Sequence, residues 1–113
     1  MTERSVYIGN LGAGGELDWG GDRRIGNIPK RIGPFFSGYG ARLHPHDLLI
    51  EWIGRGILTG VPTDWGASAA RVTVKDIRYF AEFCYGASVP NELSVFLETL
   101  DPESCYALIG CEF

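Results

Sequence analysis

The sequence predicts an α+β fold, and three observations carry that reading. Two segments near the C-terminus repeat apolar residues at helical spacing, around 74–85 and 91–100. The last nine residues, from Cys105 to Phe113, alternate in the manner of a strand. A short opening run, Arg4-Ser5-Val6-Tyr7-Ile8, alternates in the same way.

Each element has its own justification. In the opening run Val6 and Ile8 share one face and Ser5 and Tyr7 the other. His44-Pro45-His46-Asp47 has the form of a helix entry, with Pro45 at the first turn, where its missing N–H leaves no bond unmade. Leu48, Leu49, Trp52, Ile53 and Ile57 then fall on one helical face, which predicts a helix over about 46–53; a strand through 49–53 is the rival, because Gly54 and Gly56 weaken the helix. Thr73 and Asp76 stand at capping-box spacing, with Val72 and Ile77 at the positions of a hydrophobic staple. Ile77, Phe80, Ala81 and Cys84 follow as a buried stripe, and Gly86 stands where a left-handed C-terminal residue belongs. Pro90 opens the last helix, whose Leu93, Phe96, Leu97 and Leu100 line one face until Asp101-Pro102 stops it. In the final strand Ala107, Ile109, Cys111 and Phe113 share one face, and Tyr106 and Leu108 the other. Apolar residues on both faces place that strand inside a sheet rather than at its edge. The expected architecture is a small mixed or antiparallel sheet, its N-terminal and C-terminal strands adjacent, packed by two to three helices at about 46–53, 74–85 and 91–100. The helical stripes, through Phe80 and Leu97, are expected to meet the final strand at Ile109.

The chain has 113 residues, room for one core, so residues 1–113 are expected to form a single domain. No run approaches the roughly 18 apolar residues of a membrane span, and no apolar signal core follows Met1. Cys105 and Cys111 lie six residues apart in one expected strand. At ~3.3 Å per residue that is roughly 20 Å, far beyond the ~7 Å limit for a bridge. Reduced thiols and a soluble, cytoplasmic chain are the expectation.

Charge is separated along the sequence. Arg23, Arg24, Lys30, Arg31 and Arg42 are the only ionised side chains between Arg23 and His46, and no basic residue follows Arg78. The net charge of −4 argues against a duplex-binding module, which carries a dense basic stripe.

Motifs for chemistry are sparse. The glycines from Gly9 to Gly15 lack the Lys and Ser/Thr of a P-loop, and Leu17 stands where a dinucleotide fingerprint needs Gly or Ala. His44, His46 and Asp47 form the one histidine cluster and are the candidates for general-base chemistry; no third or fourth ligand completes a metal set, and no cofactor is implied. Arg31, Phe35, Phe36 and Tyr39, with Trp19 and Trp65, are the candidate binding residues, because arginines interleaved with aromatics suit protein interfaces. Three functions follow in order. The first is an accessory protein of regulatory, inhibitory or neutralising type that acts on a protein partner, or on a second copy of itself as a homodimer. The second is a small enzyme or ligand-binding domain with a site between residues 9–26 and His44/His46. The third is a single-stranded nucleic-acid binder using residues 24–42.

Overall fold

A computed structural model describes residues 4–11, 31–38, 40–62 and 68–112, with backbone alone for 61, 62, 111 and 112. The candidate residues Trp19, Tyr39 and Trp65, and most of the 9–26 segment, lie outside the described residues. The elements run β1 (Arg4–Gly9), α1 (Pro45–Gly54), β2 (Thr59–Pro62), β3 (Ser68–Thr73), α2 (Val74–Tyr85), α3 (Asn91–Glu98) and β4 (Cys105–Glu112), with one 3-10 turn, Gly86–Ser88, between α2 and α3.

The four strands make one antiparallel sheet in the order β1-β4-β3-β2. The terminal strands are therefore neighbours and β4 is internal, as its two apolar faces require. Register pairs Tyr7 with Ile109 and Ile8 with Leu108, and on the other side Ala70 with Leu108. Val6, Ile8, Leu108, Ala70 and Val72 thus point to one face, where they join the buried stripes of the helices in the main core. Tyr7, Ala69, Ala107 and Ile109 point to the opposite face and form a second buried cluster.

This corrects one expectation. Phe80 and Leu97 pack with Leu108, while Ile109 lies across the sheet from them. A strand apolar on both sides does not say which side the helices take, and here two glycines decide it. A Cβ on Gly110 would come within 3.0 Å of Leu49 Cδ2, and one on Gly60 within 2.8 Å of Ile53 Cγ1. Helix α1 is seated on the sheet face where these strands lack side chains.

The helix reading of α1 holds over the strand rival. His44 accepts the His46 amide on Nδ1 at 3.2 Å, and Pro45 fills the first turn. Ile57 falls beyond the helix and is half exposed. In α2 the capping box is complete: Thr73 Oγ1 accepts the Asp76 amide at 3.1 Å and Asp76 Oδ2 accepts the Thr73 amide at 2.9 Å. Gly86 closes the helix at φ 62°, ψ −128°, a region that side chains avoid.

Two strands, β2 and β3, are not expected from the sequence. Ser-Ala-Ala-Arg-Val-Thr has alanines where strands usually carry β-branched residues, and Thr-Gly-Val-Pro is four residues with a glycine and a proline. Its place at the sheet edge is where a proline is tolerated.

Among the described residues, no helix is long and apolar enough to cross a membrane.

Candidate functional site

The basic-aromatic segment, residues 31–37, runs along the outer edge of β1. The Ile32 and Phe36 amides donate to the Ile8 and Val6 carbonyls, each at 2.9 Å. Four residues on one chain answer two on the other, so the pairing carries a bulge that takes in Pro34. Two further ties hold it. Tyr85 Oη donates to the Ser37 carbonyl at 2.6 Å, and the Gly33 backbone lies against the Phe96 ring, which a Cβ there would meet at 2.4 Å.

Consecutive residues of an extended chain point to opposite sides. The two phenylalanines are divided accordingly. Phe36 turns into the main core, 3% exposed, with its ring edge-on to Phe80 at 5.5 Å. It has no surface to offer a partner, which removes it from the candidate binding residues. Phe35 turns to the other side, 49% exposed, edge-on to Tyr7 at 6.0 Å. The Arg31 guanidinium sits 4.5 Å over the Phe35 ring and donates to the Gly33 carbonyl at 2.8 Å. Beside them Arg31, Ile32, Gly33, Pro34 and Glu92 bound an open depression of about 320 Å³.

The histidine cluster is dispersed. His44 serves as the N-cap of α1, and its ring lies over Gly38. His46 is 3% exposed and packed toward Gly110 of β4. Asp47 is exposed and ion-paired with Arg4. Three residues within one four-residue stretch thus take three separate roles in the fold. Among the described residues no group of three or more His, Cys, Asp or Glu side chains is placed to hold a metal ion.

A second aromatic surface lies on α2, where the sequence reading named no candidate. Tyr79 and Phe83, 53% and 40% exposed, stand 5.0 Å apart on the solvent side of α2, both against the buried Trp52 of α1 at 5.6 and 5.1 Å. Lys75, Asp76, Arg78, Tyr79 and Glu82 bound a shallow depression of about 530 Å³ there. The signal was present: two large aromatics at i, i+4 fall outside the stripe formed by Ile77, Phe80, Ala81 and Cys84.

The thiols are unreactive where they are buried. Cys84 is fully enclosed, and burial pushes its thiol from 9.0 up to about 12. Burial and the neighbouring Cys84 also raise the Tyr85 phenol. At pH 8, iodoacetamide followed by peptide mapping should label the half-buried Cys105 and leave Cys84 unmodified; labelling of Cys84 at the rate of a free thiol would contradict its enclosure. The sign of the pH dependence follows. For Cys84 the folded chain keeps a proton that the unfolded chain releases above pH 9.0, so its contribution to stability is unchanged below that value and falls as pH rises toward about 12. Cys84 contributes a slope of about 1.4 kcal/mol per pH unit in that window, and Tyr85 adds to it in the same direction only above its ordinary value of 10.0.

The chain matches no family model, no curated protein and no solved structure. Among the described residues its own geometry defines its class: a four-stranded antiparallel sheet with helices on one face and two aromatic surfaces.

Proposed function

We infer that the chain is a cytoplasmic accessory protein that works by binding another protein through the Arg31–Phe35 surface. One observation carries this reading: a half-exposed aromatic ring is held in place by two neighbours, Tyr7 in an edge contact and the Arg31 guanidinium over its face. The backbone that bears it is pinned to β1, to Tyr85 and against Phe96. An exposed phenylalanine fixed in this way loses little freedom on binding, which favours affinity. Arginine and aromatic residues are the side chains that dominate binding energy at protein interfaces. Ile32, 36% exposed, extends the apolar area, and Glu92 supplies the opposite charge at its rim. Free Cys84 and Cys105 accord with a reducing compartment.

The test is site-specific photo-crosslinking in the native host. A photoreactive phenylalanine analogue at position 35 should yield one protein adduct of discrete mass, and Arg31→Ala should reduce its yield while the circular dichroism spectrum stays native. An analogue at position 98, on the exposed side of α3, should not yield that adduct. The same adducts from both positions, or none from position 35, would overturn the reading.

A further inference from the structure

The geometry points to a second, separate interface: helix α2 pairs with α2 of a second copy of this chain, antiparallel about a two-fold axis. The surface on Arg31 and Phe35 is not involved. The exposed arc of α2 carries two stripes. At 100° per residue, Tyr79 and Phe83 lie on the side toward α1, where Trp52 supports them. Arg78 and Glu82 lie on the side toward α3, where they border a groove with Val89, Ser94 and Leu97. Both pairs have four-residue spacing, and their midpoints, positions 81 and 80, differ by one residue, about 1.5 Å along the axis.

That pattern is complementary to itself in one orientation. A two-fold axis perpendicular to two facing helices reverses their direction but keeps each lateral stripe opposite its own copy. Tyr79 then meets the partner's Phe83, and Phe83 meets the partner's Tyr79. In the same arrangement Arg78 faces the partner's Glu82, and Glu82 faces the partner's Arg78. An isologous contact needs such reciprocal pairs. A parallel pairing would set the aromatic stripe against the charged one and lose both. Among the described residues neither Arg78 nor Glu82 is held in an ion pair within the chain, so both are available. Opposite charges placed in this way fix register as well as attraction.

Sedimentation equilibrium of the full chain and its charge variants tests this. The wild type should dissociate from dimer to monomer on dilution. Arg78→Glu alone, and Glu82→Arg alone, place like charges opposite each other twice and should weaken the dimer by about tenfold or more. The double variant R78E/E82R restores both pairs and should dimerise again with affinity close to wild type. Circular dichroism of each variant separates loss of pairing from loss of fold. A wild type that stays monomeric at millimolar concentration would overturn the inference. So would single variants that dimerise as tightly as the wild type, or a double variant no better than either. The crosslinking experiment at position 35 is independent of these outcomes.

Discussion

Phe36→Ala is expected to lower the unfolding free energy by about 3–5 kcal/mol, while Phe35→Ala one position earlier lowers it by about 1 kcal/mol or less. The first removes a ring that is 3% exposed and packed on Phe80, leaving a void among Val6, Ile8 and Phe80 that a compact core fills poorly. The second removes a ring that is half in water and loses an edge contact with Tyr7 and the guanidinium above it. Against a total of about 5–15 kcal/mol for an ordinary domain, the Phe36 loss takes a large share. Thermal denaturation should show it as a drop of roughly 10–20 °C in Tm. Because Phe36 also anchors the segment to β1, its replacement should raise hydrogen exchange at the backbone amides of positions 32 and 36, which bond to β1. Equal losses from the two substitutions would show that the segment does not pass along the sheet edge with one ring on each side.

The same pair shows what a sequence can and cannot disclose. Two adjacent aromatics in extended chain must point apart, so one inner and one outer ring was legible from position alone. Which of them is inner depends on the register of the segment against β1, and that is set by contacts far away in sequence. Helices α1 and α2 were legible because their caps and apolar periodicity are local signals, and α3 from the apolar spacing that follows Pro90. Strand β4 was legible as an internal strand, and β1 as its neighbour. The side of β4 that receives the helices was not, since Leu108 and Ile109 are equally apolar. Strand β3 was hidden because Ala69 and Ala70 are small for a reason that only the fold supplies. They lie fully buried on opposite faces of the sheet, where apolar clusters press from both sides. At the candidate site, Arg31 beside Phe35 was readable as a composition. The stacking of one on the other was not, and the α2 surface required asking what the outward residues of a well-predicted helix are for.

Substitution at the glycines beneath and at the end of α1 should separate packing from backbone freedom. Gly110→Val is expected to destabilise the chain by about 1–3 kcal/mol, with Gly110→Ala intermediate. A Cβ at this position would lie 3.0 Å from Leu49 Cδ2 and 3.3 Å from His46 Cδ2. Leu49 can yield slightly, which accommodates alanine. Valine adds two further carbons toward side chains that are 0% and 3% exposed, so α1 must lift from the sheet. Gly54→Ala, in the last turn of the same helix, should instead stabilise by about 0.4–1 kcal/mol, because no atom lies within 4 Å of the added carbon and the unfolded chain loses freedom. Urea denaturation of the three variants gives the ranking, and hydrogen exchange of the α1 amides locates the change. If α1 rests on β4, exchange rises in Gly110→Val at Leu49 through Ile53 before it rises in α2. A valine at position 110 that leaves stability and exchange unaltered would mean that α1 does not sit over the centre of the sheet. The antiparallel dimer should survive Gly54→Ala unchanged, whereas Gly110→Val should weaken it, since lifting α1 withdraws Trp52 from beneath Tyr79 and Phe83.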